Sequence, residues 1–369
     1  MNTDWFHITN EADVPSPALL VYPDRVEENI RRMVAITGGP ARLRPHMKTH
    51  KLPEVIRLQM AQGITKFKCA TIAEAEMVAG CGVRDVLLAY QPVGPNVRRL
   101  IQLVKKFPDA KFSAIVDDAE AIRALSETCE AERLTLEVLL DIDVGMQRSG
   151  VAPGPKAVEL YRLLHQSNGV LAGGLHVYDG HIHDRDPETR KAVCDAAFAP
   201  AQALRLELKA AGMPVPTVIA GGTPTFAIHA RRPDVECSPG TCVFWDHGYG
   251  VKVPDLDFLP AAVLFTRVIS RPGVNRLCLD LGHKAVAPEN PHPRVHLLAL
   301  PEVKFVMQSE EHLVVETERA GEFPVGTALY GIPWHICPTV ALHGQVVVVR
   351  DGRATERWKV TARERVLTV

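Results

Sequence analysis

Apolar segments rich in β-branched residues alternate with helical segments over the first two-thirds of the chain, and this pattern restricts the fold more than any other feature. After an opening strand at residues 17–22, strand-like segments lie near residues 42–46, 67–71, 85–90, 112–116, 136–141, 173–178, 217–220 and 235–238. Amphipathic helical segments separate most of them, at residues 26–35, 72–79, 96–106, 119–130, 156–166 and 189–211. Eight strands alternating with helices predict an α/β chain built on a closed (β/α)8 TIM barrel, with an open doubly wound sheet as the alternative.

The pattern changes near residue 250, where helical periodicity fades. Short β-like runs follow at residues 261–270, 276–280, 295–299, 313–318, 345–350 and 358–360. Glycine and proline separate these runs, as turns between short strands require. The sequence therefore predicts a barrel over residues 16–250 and a C-terminal all-β domain over residues 251–369.

Composition and charge limit the possible partners. The net charge is −1, with 46% hydrophobic and 23% charged residues, so no overall field favours nucleic acid or an anionic membrane. No apolar run is long enough to cross a bilayer, and no signal peptide is recognisable at the N-terminus. We expect a cytoplasmic protein without nucleic-acid or membrane partners, whose eight cysteines are reduced.

Polar residues follow the predicted barrel strands, where the active sites of such barrels lie. Lys48 ends the first strand in the box Arg-Pro-His-Met-Lys-Thr-His-Lys. A lysine in the mouth of a barrel can be partly desolvated, which lowers its pKa and frees the amine to attack an aldehyde. A basic surface turn is the simpler alternative for this segment.

Two later turns have the composition of anion-binding sites. Gly222 and Thr223 lie in Gly-Gly-Thr-Pro-Thr, and Gly240 and Thr241 end Ser-Pro-Gly-Thr. Glycines allow the backbone to approach an anion closely, and the hydroxyls add donors. Adjacent turns at the last barrel strands match the usual phosphate position of the fold, although either could be an ordinary turn.

Two further residues after barrel strands are candidates for chemistry. His181 follows the strand that ends at Tyr178 and could act as a general base. Arg148, in Asp-Val-Gly-Met-Gln-Arg-Ser-Gly, could reach an anionic oxygen of a ligand, or form only a loop salt bridge.

His335 and Cys337 form a candidate metal site in Trp-His-Ile-Cys-Pro-Thr. In an extended segment, residues i and i+2 face the same side, so both side chains could bind one ion. Imidazole and thiolate suit zinc, and manganese is the second possibility. The alternative is a buried cysteine beside a surface histidine.

Taken in order, these boxes resemble those of the D-threonine aldolase / D-serine dehydratase family, a branch of the alanine racemase-like, fold-type III pyridoxal-phosphate enzymes. The resemblance covers residues 16–345 and is most specific in the lysine box and the late His-x-Cys-Pro-Thr motif. It implies that Lys48 holds pyridoxal 5'-phosphate as a Schiff base and that a divalent metal, Zn2+ or Mn2+, is also bound.

The resemblance also implies the other site residues. It assigns the phosphate to Gly222, Thr223, Gly240 and Thr241, the cofactor ring or its substituents to Arg148 and Tyr178, the metal to His335 and Cys337, and a base to His181. Residues 1–15 are expected to join the β domain. By analogy with relatives of the fold, we expect a homodimer.

The implied activity is a lyase reaction on a small D-amino acid with a β-hydroxyl. The Tyr178–His181 segment resembles the aldolases, which cleave the substrate to glycine and an aldehyde. Cys337 is typical of the dehydratases, which release a keto acid and ammonia. An amino-acid racemase or a non-catalytic pyridoxal-phosphate-binding protein would make poor use of the metal pair or of the β domain.

Overall fold

The structure is a computed structural model that describes residues 5–369, and it divides into two compact units. One unit, the β unit, contains the described chain up to Ile30, then Thr49–Val55 and Thr241–Arg363. The other, the barrel unit, contains Arg31–Lys48, Ile56–Gly240 and Glu364–Val369. Each unit is therefore assembled from separate stretches of the chain, whereas the predicted domains were continuous apart from the N-terminal segment.

The described chain contains sixteen strands and ten α-helices. The strands are β1 (Ala18–Val21), β2 (Lys66–Cys69), β3 (Asp85–Leu88), β4 (Lys111–Val116), β5 (Leu136–Asp143), β6 (Val170–Tyr178), β7 (Thr217–Ala220), β8 (Glu236–Cys237), β9 (Ala262–Gly273), β10 (Arg276–Leu279), β11 (Val295–Leu297), β12 (Lys304–Gln308), β13 (Leu313–Glu316), β14 (Ala328–Pro333), β15 (Gln345–Arg350) and β16 (Arg353–Lys359). The helices are α1 (Pro23–Ile36), α2 (Pro53–Ala61), α3 (Ile72–Gly80), α4 (Pro95–Lys106), α5 (Ala119–Ala131), α6 (Pro155–Gln166), α7 (Pro187–Ala210), α8 (Phe226–His229), α9 (His247–Lys252) and α10 (Ile336–Leu342). Within these residues no helix is long and apolar enough to cross a membrane.

The barrel unit contains a parallel sheet in the order β2-β3-β4-β5-β6-β7-β8. Residues 43–46 join its two edges: Leu43 bridges Cys237 on β8, and His46 bridges Lys68 on β2, both in parallel. The amide of His46 also donates to the Pro239 carbonyl at 2.8 Å. The predicted first strand is thus reduced to bridges, but it completes the ring, which confirms the barrel and excludes the open sheet.

Arg44 ties this closing segment to strands on both sides. Its guanidinium is 2.6 Å from the carboxylate of Asp85 on β3 and 2.7 Å from that of Glu236 on β8. Arg44 is buried, and burial alone would lower its pKa, but the two carboxylates raise it above the usual value. The seam of the barrel therefore rests on a buried, charge-assisted bridge.

The β unit has a nine-stranded, mainly antiparallel sheet. Seven of its strands lie in the order β12-β13-β10-β9-β1-β15-β16, and β14 and β11 branch from β9. The opening strand β1 lies inside this sheet, antiparallel to β9 and parallel to β15. Phe6 and Val14 pack in the same apolar core as Phe265 and Tyr330. Residues 1–4 of the predicted N-terminal segment lie outside the described chain.

Candidate active site and metal centre

Tyr178, the last residue of β6, lies among three cationic side chains of the barrel unit. Lys48 Nζ is 5.6 Å, Lys68 Nζ 5.5 Å and Arg148 Cζ 4.9 Å from the centroid of its ring. A Cβ at Gly222 would lie 3.1 Å from Tyr178 Cε2, so the absence of a side chain there allows the ring to rest on the backbone. Lys48, Arg148, Tyr178 and Gly222 are therefore brought together, and their charge favours an anionic ligand.

Lys68 was not anticipated from the sequence. Its side chain is 2% exposed, and its Nζ is 3.5 Å from His176 Nε2. Burial and the nearby charge of Lys48 lower the pKa of Lys68 to about 7, against the opposing effects of Asp141 and Asp179. The interior of the barrel thus contains a second amine beside Tyr178, and this amine releases its proton more readily than an exposed lysine does.

Asp141 and His176 form a buried pair next to Lys68. His176 Nδ1 is 2.7 Å from Asp141 Oδ1, and Ser149 Oγ donates to Asp141 Oδ2 at 3.1 Å. Burial would raise the pKa of Asp141, but His176 and Ser149 lower it overall, while burial lowers the pKa of His176. Asp141 is therefore a carboxylate that accepts a hydrogen bond from the protonated Nδ1 of His176. This bond leaves Nε2 of His176 facing Lys68.

A cavity of about 530 Å3 opens beside Lys48 at this end of the barrel. Its lining includes His46, Lys48, Tyr90, Asp141, Arg148 and Ser149. Sites for small ligands usually measure about 300–1,000 Å3. The size and the convergence of charged groups are those of a small-molecule site.

The predicted phosphate turns are connected within the barrel unit. Gly240 N donates to Thr223 Oγ1 at 3.2 Å, and Gly222 N donates to Thr225 Oγ1 at 3.2 Å. Thr241, by contrast, belongs to the β unit, where its Oγ1 is 3.5 Å from Cys337 Sγ.

His181 has one ring nitrogen that makes no hydrogen bond within the described chain. Its Nδ1 is buried and has no hydrogen-bond partner among residues 5–369. A Cβ at Gly145, where φ is +118°, would lie 3.2 Å from His181 Nε2, so this glycine allows the ring to approach the 144–148 loop. His181 follows the end of β6, and its role as a base stays a prediction.

His335 and Cys337 interact, but not through the geometry that the sequence suggested. Only His335 is extended; it precedes α10, and Cys337 lies in the first turn of that helix. The expectation of a continuous extended segment is therefore wrong, because Pro338 fits the first helical turn as well as it fits a strand. The two side chains still form a hydrogen bond, since the chain turns at the start of the helix.

The electrostatics of the pair favour the metal-binding form of Cys337. Burial would raise the pKa of Cys337, but His335 lowers it overall, with help from Thr241 and Thr49, whose Oγ1 is 3.2 Å from the sulfur. Burial would lower the pKa of His335, but Cys337 and nearby carboxylates raise it to about 9. A thiolate is the form that binds metal ions. His335 must release one proton before its imidazole can bind the same ion, so metal binding at this pair releases a proton.

Glu289 completes the surroundings of His335. His335 Nδ1 is 2.6 Å from Glu289 Oε1, so the imidazole can donate there and present Nε2 to an ion. A carboxylate behind a histidine ligand is the usual arrangement around protein-bound metals. The donor set therefore fits a divalent metal.

The barrel residues in turn fit pyridoxal phosphate. The cofactor combines an aldehyde, a flat aromatic ring and a phosphate. Lys48 offers an amine, Tyr178 an aromatic surface, and the Gly222 backbone a close approach for an anion, beside the cation of Arg148.

Comparison with known proteins agrees with this arrangement. A model of the alanine racemase N-terminal domain matches residues 21–247, and a serine dehydratase domain model matches residues 261–349. A D-threonine aldolase from Arthrobacter sp. is 31% identical over 95% of this chain and 93% of its own length. A D-threo-3-hydroxyaspartate dehydratase from Delftia sp. strain HT23 is 29% identical over 93% of this chain and 96% of its own length.

Solved structures give the same picture. The D-threonine aldolase from Filomicrobium marinum has a TM-score of 0.89 and 33% identity, and the match covers 97% of this chain and 98% of that one. Two structures of a D-threo-3-hydroxyaspartate dehydratase, at 25% identity and TM-scores of 0.86 and 0.85, carry alanine in place of a histidine and of a cysteine two positions later. The cysteine variant is in the metal-free form.

The barrel, the mainly antiparallel sheet and the lysine at the first barrel segment define an alanine racemase-like, fold-type III enzyme. More narrowly, the chain belongs to the D-threonine aldolase / D-serine dehydratase family and is a pyridoxal-phosphate-dependent lyase.

Proposed function

We propose that this lyase cleaves D-amino acids that carry a β-hydroxyl, by a retro-aldol reaction that yields glycine and an aldehyde. The observation that carries the β-hydroxyl substrate is the His335–Cys337 pair with Glu289 behind it, because a reaction at a β-hydroxyl uses a metal that a racemase does not need. The Tyr178–His181 segment, which resembles the aldolases, favours cleavage over elimination. The similarity to D-threonine aldolases over nearly the whole chain supports the substrate class. By the analogy noted above, we also propose a homodimer.

Lys48 would hold the cofactor through its amine, and the residues near Tyr178 would fix its orientation. Bound there, pyridoxal phosphate supplies an electron sink for the charge that bond cleavage leaves at Cα. Gly222, Thr223, Gly240 and Thr241 would hold its phosphate. Arg148 and Tyr178 would contact its ring or the ring substituents.

His335 and Cys337 would hold the metal, either Zn2+ or Mn2+. A divalent ion on these two ligands supplies a Lewis acid and template for the substrate hydroxyl, since open coordination positions remain. Glu289 keeps the imidazole oriented by accepting from Nδ1.

His181 would take the proton of the β-hydroxyl at Nδ1, which substrate binding has to uncover because this atom is buried. This nitrogen has no competing partner within the described chain, so it can accept a proton without first breaking a hydrogen bond. A positioned base of this kind typically contributes about 100- to 10,000-fold to the rate.

The second candidate is β-elimination by a dehydratase, and Cys337 favours it. The dehydratase variants replace a histidine in one case and the cysteine two positions later in the other. The cysteine variant is metal-free. In that reaction Lys48 would remove the Cα proton and the hydroxyl would leave with help from the metal. The products would be a keto acid and ammonia.

A product assay separates the two reactions. The chain is supplied with pyridoxal phosphate and Zn2+ or Mn2+ and incubated with D-threonine, D-serine and D-3-hydroxyaspartate, with L-threonine as the stereochemical control. We expect glycine and an aldehyde in equal amounts from the D-substrates. A keto acid with ammonia would replace the aldolase proposal by the dehydratase.

A further inference from the structure

A buried hydrogen-bond network lies beneath the turn formed by residues 221–225. Thr225 Oγ1 donates to Asp179 Oδ1 at 2.7 Å and accepts from Gly222 N at 3.2 Å. His229 Nε2 is 2.8 Å from Asp179 Oδ2. Asp179, Thr225 and His229 are each at most 3% exposed, so these bonds form away from water.

The direction of the protons follows from Arg232. Its Nη1 is 2.7 Å from His229 Nδ1, and a guanidinium can only donate. His229 Nδ1 is therefore the acceptor, and the proton of the neutral imidazole sits on Nε2, directed at Asp179. The network thus runs from Arg232 through His229, Asp179 and Thr225 to the Gly222 amide.

Cys194 brings a third metal-binding side chain into the cluster. Ligand atoms of Asp179, Cys194 and His229 all lie within 4.8 Å of one another. Tetrahedral ligands about 2.0 Å from a zinc ion would be separated by roughly 3.3 Å. The 2.8 Å between Asp179 and His229 is instead a hydrogen-bond distance, shorter than the spacing of two ligands on a tetrahedral zinc ion.

The protonation states also oppose a metal. Burial and the charge of Asp179 raise the pKa of Cys194 to about 12, so its sulfur is a thiol and a poor ligand. An ion on His229 Nε2 would have to displace the proton from that nitrogen. The proton is fixed there because Arg232 donates to Nδ1. Burial would raise the pKa of Asp179, but the bonds from His229 and Thr225 lower it overall, so the carboxylate is already satisfied.

The network also sets the path of the turn. Gly221 has φ of +83°, and a Cβ there would lie 2.7 Å from His229 Cδ2. The turn therefore rests directly on the imidazole, while its hydroxyl side is held by Asp179. Backbone amides that are fixed before an anion binds lose less conformational freedom when it does.

We infer that Asp179 is a positioning residue that acts through Thr225 and His229 to fix the 221–225 turn for the cofactor phosphate, and that the Asp179–Cys194–His229 cluster binds no metal. This inference rests on the proposed use of the turn for the phosphate of pyridoxal phosphate.

Thr225→Val is the most direct test, since it keeps the shape of the side chain and removes only the hydroxyl. The cofactor is removed from the purified enzyme, and pyridoxal phosphate or pyridoxal is titrated back while the visible absorbance is followed. We expect the Kd for pyridoxal phosphate to rise about tenfold, because Asp179 and the Gly222 amide both lose their hydrogen bond to the hydroxyl, with the Kd for pyridoxal unchanged. Thr225→Ser, which keeps the hydroxyl, should bind both as the wild type does.

An unchanged Kd for pyridoxal phosphate in Thr225→Val, or an equal loss for both ligands, would overturn the inference. Metal content of Asp179→Asn and Cys194→Ala gives the second measurement. We expect it to equal that of the wild type, and loss of a tightly bound ion from either variant would mean that the cluster is a metal site. A wild-type chain that shows no visible band with pyridoxal phosphate would refute the proposed function before any variant is compared.

Discussion

Replacing Lys68 by methionine should stabilise the protein, and more so at low pH than at high pH. The folded state lowers the pKa of this amine from 10.5 to about 7, chiefly by burial. The unfolded chain therefore binds the proton more tightly than the folded chain, and protonation favours unfolding. The penalty is complete below pH 7 and disappears as the pH rises toward 10.5.

The magnitude follows from the pKa difference. Each tenfold change in proton affinity is worth about 1.4 kcal/mol, so protonation of Lys68 costs the folded state about 5 kcal/mol at low pH. Between pH 7 and pH 9 the penalty falls by about 2 kcal/mol. Methionine fills the volume of the lysine stem without a charge. Loss of the contact with His176 changes the free energy of unfolding by the same amount at pH 7 and at pH 9.

The assay is urea unfolding of the cofactor-free protein, followed by circular dichroism at pH 7 and pH 9. The advantage of Lys68→Met over the wild type should shrink by about 2 kcal/mol between the two values. Lys111→Met, which removes a more exposed lysine from another barrel strand, controls for the loss of one positive charge. The reasoning fails if the advantage is the same at both pH values.

Three other changes test separate parts of the structure. Arg44→Met takes the guanidinium from Asp85 and leaves Glu236 with Lys66, and it should lower the free energy of unfolding by about 3 kcal/mol in urea titrations; a loss below 1 kcal/mol would contradict the bridge. His181→Asn should lower kcat for D-threonine cleavage at least about 100-fold without loss of the cofactor band, whereas the exposed His183→Asn should not; equal rates for both variants would remove His181 from the mechanism. Glu289→Gln should weaken metal binding about tenfold in chelator competition, because His335 loses its anionic partner; unchanged affinity would argue against a metal on His335.

The barrel could be predicted from the sequence because its strands are short apolar runs between periodic helices. Seven of the eight predicted barrel strands appear within a few residues of their expected positions, and the eighth survives as bridges at residues 43–46. Strands β12 and β14 were missed for local reasons. Strand β12 is a largely exposed edge strand, and β14 contains Gly331 and ends at Pro333, both of which weaken a strand signal.

The candidate site was only partly predictable. Lys48, His335 and Cys337 stand in short motifs that can be recognised, but Lys68 is a single lysine in a short strand. Its importance depends on contacts to residues far away in the chain, such as His176, which is 108 positions later. Networks of this kind leave no local pattern, and the same is true of Asp179, whose partner His229 lies 50 positions away.

The most direct test of the proposed enzyme is to locate the cofactor on the chain. The holoenzyme is reduced with borohydride, which fixes a lysine-bound pyridoxal phosphate covalently, and the labelled peptide is identified by mass spectrometry. Two amines stand almost equally close to Tyr178, Lys48 at 5.6 Å and Lys68 at 5.5 Å, so the experiment has a real alternative within the same site. We predict a single label on Lys48; a label on Lys68, or none on either lysine, would contradict the assignment on which the mechanism depends.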